Sequence, residues 1–137
     1  MRVAHGRIRV VTNERFETLD ITGRVQGWLE SINGRSGIVT VYVPHTTATI
    51  AVNEAEPGLL NDIVDLLKQL TMPGSTRWKH NRIDNNAHAH LSNILVGHSA
   101  VIPVMDGRLV LGTWQRIIFI EMDGPRNRSV HLTFIGE

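Results

Sequence analysis

SAVIPVMDGRLVLGTWQRIIFIE, residues 99–121, is the stretch that sets the fold class of this chain. Its first two apolar segments are separated by Asp106-Gly107, a dipeptide typical of two-residue β-hairpin turns. The segment Trp114–Glu121 is rich in β-branched and aromatic residues, as strands are. After the turn at 123–125, SVHLTFI (residues 129–135) has the same composition. The C-terminal third therefore predicts consecutive antiparallel strands.

Strands and helices mix in the residues before this stretch. Residues 1–12, 37–44 and 48–53 predict strands, because β-branched residues dominate them. Helices are predicted after Asp20-Ile21-Thr22, from Pro57 to about residue 70, and over 87–96, where Leu91, Ile94 and Leu95 would form the core face. Residues 76–86 read as a loop. The sum predicts an α+β chain forming a single domain over 1–137, whose antiparallel sheet forms one layer or two packed layers and carries two or three helices.

The composition is that of an ordinary globular domain. The chain has 137 residues, of which 42% are apolar and 20% charged, enough for a packed core. It has no cysteine, which excludes disulfides, thiolate metal sites and thiol nucleophiles. The 14 basic residues are scattered among 13 acidic ones, which argues against nucleic-acid binding. No apolar run approaches the ~18 residues of a membrane helix, so we expect a cytoplasmic protein without membrane contact.

Histidines concentrate in HNRIDNNAHAHL, residues 80–91, which holds three of the seven. Such polar groups need partners once buried, so the segment suits a metal or a polar ligand. Another histidine, His45, ends the strand predicted over 37–44. Three neutral imidazoles on zinc would leave one position open, as in catalytic zinc sites. Hydrogen-bonded polar residues at a loop edge explain the same pattern.

Helix geometry separates His88 from His90. Side chains two positions apart on a helix point about 200° apart, so these two cannot face one ion. His90 stands next to Leu91 and is the better inward candidate. His5, His98 and His131 have no comparable neighbours in the sequence, and we expect no shared ligand role for them.

Two acidic residues have two possible roles each. Glu54 precedes a predicted helix, where it would complement the helix dipole, or it would act as a general base near a substrate. Asp84 would orient a histidine or simply form a turn.

The C-terminal polar residues are also open to two interpretations. Arg126 and Arg128 would bind phosphate, or they would form a solvated surface pair. Trp114 would pack in the core, or it would line a pocket in which Gln115 donates a hydrogen bond.

A series of short motifs runs through nearly the whole chain, from about residue 4 to the end. In order they are His45-Thr46-Thr47-Ala48, Asn53-Glu54, His80, Ala89-His90-Leu91, Gly97-x-Ser99, Ile102-Pro103, Gly107-Arg108-Leu109, Leu111-Gly112-Thr113-Trp114-Gln115 and Glu121. This series resembles the YjbQ family, also called the secondary thiamine-phosphate synthase family. The most specific part is Gly112-Thr113-Trp114-Gln115 following a Gly-Arg-Leu hairpin.

The resemblance implies a compact α+β fold with a β-sandwich-like core. It also implies a homotrimer whose site lies near a subunit boundary. The activity it implies joins hydroxymethylpyrimidine diphosphate to a thiazole phosphate, which gives thiamine phosphate and pyrophosphate as a secondary activity. The polar positions that the family pattern keeps are His45, Glu54, His80, Asp84, His90, Gln115 and Glu121.

These positions define the expected site. We expect a divalent metal, zinc in view of the all-imidazole set, on His45, His80 and His90. The expected catalytic residues are Glu54, Asp84 and Gln115, and the expected contacts to a small phosphorylated substrate are Thr46, Thr47, Asn86, Trp114 and Arg126. Two alternatives stay open. One is a non-catalytic trimeric module that binds an anion or a small phosphorylated metabolite in a histidine pocket, and the other is a metal-dependent hydrolase.

Overall fold

A computed structural model describes residues 1–137 as two antiparallel sheets and three helices. The strands are β1 (Arg2–Val11), β2 (Glu17–Asp20), β3 (Gly37–Tyr42), β4 (Ala48–Asn53), β5 (Ser99–Met105), β6 (Arg108–Leu109), β7 (Arg116–Glu121) and β8 (Asn127–Gly136). The helices are α1 (Thr22–Ser31), α2 (Pro57–Thr71) and α3 (Ala87–Val96), and a short 3-10 turn spans Lys79–Arg82. None of these helices combines the length and apolarity that a membrane crossing requires.

The strands form a five-stranded sheet, in the order β1-β8-β3-β5-β6, and a three-stranded sheet, in the order β2-β7-β4. The predicted hairpin is confirmed, since Asp106 and Gly107 have φ angles of 51° and 78° and Met105 pairs with Arg108. Positive φ at both central residues is what such a tight turn requires. The strand β2 was not predicted, because its four residues are too few to carry a period.

The strand β7 is buried on both faces, which explains its unbroken apolar sequence. Ile117 and Phe119 point into the main core, which lies between the two sheets. Ile118 and Ile120 point the other way, into a second apolar cluster beneath α2 and α3. The molecule therefore has three layers, and the prediction of an α+β domain with two packed sheets is confirmed.

The helix α3 has the predicted bounds but a different buried face. Ile94 and Leu95 are 77% and 59% exposed, so the predicted core face is wrong. The buried residues are instead Ala87, His88, Ala89 and Ser92. The small alanines let α3 lie close to the sheet, and the His88 Nε2–H donates to the carbonyl of Met122 at 2.7 Å, which fixes the rotation of the helix.

A buried ion pair joins β7 to β8. Glu121 is 0% exposed and Arg128 is 5% exposed, so the interpretation of Arg128 as a solvated residue is wrong. The Arg128 Nε donates to Glu121 Oε1 at 2.9 Å, and Nη2 donates to Oε2 and to Thr47 Oγ1. The Thr12 hydroxyl adds a bond to Glu121 Oε1 at 2.7 Å. These bonds satisfy both charges and tie four segments of the chain together.

Removing one member of this pair should be costly. In Arg128→Met, the Glu121 carboxylate stays buried without its partner, and we expect a loss of about 3–5 kcal/mol in the free energy of unfolding measured by urea titration. The control is Arg116→Met, because Arg116 pairs with Asp20 at the surface, where an ion pair contributes about 1 kcal/mol or less. Equal losses in both variants would contradict the role assigned to the buried pair.

Candidate functional site

The predicted site residues lie in three separate regions. His80, Asp84, Asn86, His90 and Arg126 lie around the start of α3. His45, Thr46 and Thr47 lie between β3 and β4. Glu54 and Trp114 line a third depression, and Gln115 follows Trp114 in the loop before β7.

The first region contains a pair of imidazoles. His80 stands on the 3-10 turn and His90 on α3, and their ring centroids are 4.7 Å apart with an interplanar angle of 74°. The rings therefore meet edge to face. They open on a cavity of about 270 Å³, whose lining residues are Trp78, Lys79, His80, Ala87, His90 and Leu91.

Hydrogen bonds fix the tautomer of His80. The Asn86 amide Nδ2 donates to Asp123 Oδ2 at 2.9 Å, and a carboxylate can only accept. The opposite atom, Asn86 Oδ1, therefore faces His80 Nε2 at 2.8 Å and accepts its proton. In the neutral ring, Nδ1 consequently keeps its lone pair. Arg126 completes the chain of contacts, because Nη2 donates to Asp123 Oδ2 at 2.9 Å and Nε donates to the Asp123 carbonyl at 2.8 Å.

Burial favours the neutral form of His90. Burial lowers the pKa of His90, and the neighbouring His80 lowers it further. Burial raises the pKa of Asp123, but the hydrogen bonds from Asn86 and Arg126 outweigh burial and leave that pKa below its ordinary value. Asp123 is therefore ionised at neutral pH and remains an acceptor for Asn86. The two imidazoles line the cavity beside the apolar side chains of Ala87 and Leu91.

His45 turns away from this pair. Its carbonyl accepts from Asn93 Nδ2 of α3 at 3.2 Å, but its ring lies against β8, where the Ser129 N–H donates to His45 Nε2 at 3.0 Å. Burial lowers the pKa of His45, and the nearby Arg128 lowers it further. The ring is therefore neutral and carries its proton on Nδ1. It lines a different depression, together with Tyr42, Thr46 and other residues.

The positions of the three imidazoles can be compared with what one zinc ion requires. No group of three or more histidine, aspartate or glutamate side chains is placed to hold a metal ion within one copy of the chain. The His45 Nε2 lone pair is already used by Ser129. As folded here, the imidazoles of His45, His80 and His90 do not fit one zinc ion. The site stays a prediction that requires a rotation of the His45 ring or a ligand from a second copy.

The remaining predicted residues have varied surroundings. Thr47 is buried and accepts from Arg128, while Thr46 is exposed. Trp114 is 70% exposed, so the alternative of a core tryptophan is wrong. The Gln115 Oε1 accepts from the Gly112 N–H at 2.7 Å, which holds the loop in shape. Glu54 faces the groove of Trp114, together with Asp20, Ala55, Glu56, Thr113 and Arg116.

Two residues near α3 differ from expectation. His88, not His90, is the inward member of the pair, since His88 is fully buried and His90 only partly. Asp84 is exposed, and its charge raises the pKa of His90 slightly against the effect of burial. Asp123 was missed because it was interpreted only as a turn residue. The available signal was an acid two positions after the end of a buried strand.

The tautomer of His80 can be measured directly. At a pH where the His80 ring is neutral, long-range ¹H–¹⁵N NMR of the native chain should show its proton on Nε2 and not on Nδ1. Asn86→Ala removes the acceptor of Nε2–H, so we expect a mixture of tautomers in that variant. The control is Asn85→Ala, an exposed neighbour, which should leave the spectrum of His80 unchanged. A native His80 protonated on Nδ1 would contradict the assignment.

Known proteins share this fold and much of this sequence. Residues 6–137 match the family described as UPF0047 protein YjbQ-like. A UPF0047 protein of Archaeoglobus fulgidus is 50% identical over 119 residues, which cover 87% of this chain and 91% of that protein. The crystal structure of a hypothetical protein from Aeropyrum pernix K1 is 57% identical with a TM-score of 0.95, over 98% of this chain and 99% of that one. A YbjQ-like protein of unknown function from Sulfolobus solfataricus P2 is 44% identical with a TM-score of 0.96, over 99% of both chains. The chain therefore belongs to the YjbQ, or UPF0047, family.

Proposed function

We propose that the chain is a thiamine-phosphate synthase-like transferase acting at the His80–His90 cavity. The observation that carries this proposal is the imidazole of His80, oriented by Asn86 beside the Trp78 indole. Such a cavity suits a flat, amino-substituted heterocycle, because the lone pair of His80 Nδ1 accepts a hydrogen bond from an exocyclic amino group. The activity would be secondary to another role.

The residues that line the cavity are suited to binding a pyrimidine ring. The Trp78 indole is held in place because its Nε1–H donates to the Thr71 carbonyl at 2.7 Å. A fixed indole offers a stacking surface at little cost in side-chain entropy. Ala87 and Leu91 leave the rest of the wall apolar, and Lys79 at the rim supplies a positive charge for a diphosphate.

The proposed reaction requires no proton transfer by the protein. The bond between the pyrimidine methylene carbon and the diphosphate oxygen breaks, and its electron pair leaves with the diphosphate. The lone pair of the thiazole nitrogen forms the new carbon–nitrogen bond. This nitrogen loses no proton, so no general base is needed. The contribution of the protein is to hold both substrates and to neutralise the leaving charge.

The other expected site residues would contribute only if copies of the chain assemble. Glu54, Trp114 and Gln115 lie apart from the His80–His90 cavity within one copy. They would act on the same substrate only if a second copy brings its groove to this cavity. A homotrimer with sites at its subunit boundaries, located in the cytoplasm, is therefore part of the proposal.

The transferase activity can be assayed with purified protein. Thiamine phosphate formed from hydroxymethylpyrimidine diphosphate and thiazole phosphate is oxidised to its fluorescent thiochrome derivative and quantified by chromatography. We expect His80→Gln and His90→Gln to lower the rate at least about tenfold, the effect of losing roughly 1.4 kcal/mol of transition-state stabilisation. The control is His98→Gln, an exposed histidine outside the cavity.

Two results would contradict the proposal. One is unchanged activity in both cavity variants. The other is binding of the pyrimidine diphosphate, measured by calorimetry, without any product in the native protein. That second result would favour the non-catalytic module.

A divalent ion, zinc, is the second part of the proposal. His80 and His90 would supply two ligands, and His45 a third after rotation or from a second copy. Elemental analysis of untagged protein should then find about one zinc per site, lost in His45→Ala, His80→Ala and His90→Ala but not in His98→Ala. Full zinc occupancy in all three ligand variants would contradict the proposed metal site.

A further inference from the structure

The outward face of the five-stranded sheet carries only positive formal charge. On β1, Ile8 and Val10 point into the core, so the alternate residues His5, Arg7 and Arg9 point outward. The corresponding outward residues of β8, β3 and β5 are neutral side chains and one histidine, His131, with no aspartate or glutamate among them. The chain as a whole is nearly balanced, with 14 basic and 13 acidic residues. The near-zero net charge of the chain therefore does not reflect the charge of this sheet face, which is entirely positive.

The strand register places the polar groups of this face in two adjacent rows. Arg7 pairs with His131 across β1 and β8, and His5 pairs with Thr133. Neighbouring strands lie about 4.8 Å apart, so side chains in one row can contact the same small ligand. The groove over these two pairs has a volume of about 500 Å³. No acidic residue lines it.

The basic groups of the groove form no ion pair within the protein. None of the ion pairs of the chain involves Arg7 or Arg9. The His5 Nδ1 lies 3.2 Å from Thr133 Oγ1, which positions the ring and leaves its Nε2 free. A surface that gathers unpaired donors of this kind is suited to an anion.

An aromatic pair borders the groove on the next strand. Tyr42 of β3 pairs with His131 of β8, and its ring contacts His98 at a centroid distance of 5.3 Å. Tyr42 is 43% exposed, so one side of its ring is open to a ligand. The organic part of a phosphate ester would reach this ring when its phosphate lies between Arg7 and His131.

We propose that this groove binds the phosphate group of a small molecule. Arg7 supplies a bidentate donor and His131 supplies a ring N–H. His5 and Thr133 together supply one further bond: His5 Nε2–H donates when the Thr133 hydroxyl donates to Nδ1, and the Thr133 hydroxyl donates when Nδ1–H donates to Thr133 Oγ1. The groove is separate from the His80–His90 cavity, so the proposal does not depend on the transferase activity. A single exposed aromatic side chain is too few for a stacking platform for single-stranded nucleic acid.

The proposal is tested by NMR titration of ¹⁵N-labelled full-length protein at constant ionic strength. We expect inorganic phosphate to shift the amides of Arg7, His131 and Thr133 along a saturable curve. Arg7→Gln and His131→Gln should each weaken the affinity at least fivefold, because each removes a donor. The matched control is Arg24→Gln, an exposed arginine on α1 that should bind phosphate as the native chain does.

A second arm separates free phosphate from phosphate esters. Phenyl phosphate should bind more tightly than inorganic phosphate if Tyr42 contacts the organic group, and Tyr42→Ala should abolish the difference. Equal affinity for both ligands in the native chain would assign the groove to free phosphate. Shifts that sodium chloride reproduces, or an unchanged affinity in Arg7→Gln, would overturn the proposal. So would concentration-dependent broadening of these amides together with no response to phosphate, because a second copy would then cover the face.

Discussion

The double-sided burial of β7 is the constraint on which the rest of the structure depends. Because both faces of this strand are covered, the residues at its end must find partners inside the protein. Glu121 holds Arg128 and, through it, Thr47. The Met122 carbonyl holds His88 and thereby the rotation of α3. Asp123 holds Asn86 and thereby His80. Three consecutive residues thus position both of the histidine regions.

The histidines show that the hydrogen-bond partner of an imidazole, and not its spacing in the sequence, determines which ring nitrogen is available to a ligand. In His45, Nε2 accepts a hydrogen bond from the Ser129 N–H, whereas in His80 the Nε2–H donates to Asn86 Oδ1. His88, in the middle of the histidine-rich segment, is fully buried and serves α3 alone. His5 and His131, which are remote in the sequence, lie on neighbouring strands.

Much of the fold could be predicted because its signals are local. Turn residues and periodicity are read within a few positions, and they gave the bounds of α3, β4 and the Asp106-Gly107 hairpin. The candidate site could be predicted only in part. The pairing of His80 with His90 follows from their proximity in the chain, but the direction of the His45 ring is set by Ser129, 84 positions away. The rotation of α3 was missed for the same reason, since Met122 fixes it from another layer.

The place of β8 in its sheet has a consequence for how the chain folds. This strand follows the other described strands in chain order, yet it lies between β1 and β3 and pairs with both along most of their length. Until β8 is in place, nothing joins β1 to β3, although β3 can already pair with β5. Closing so long a loop carries an entropic cost before the ladder compensates it. The five-stranded sheet can therefore be completed only when β8 inserts between β1 and β3, so pairing between segments that are distant in the sequence is a condition for closing the sheet.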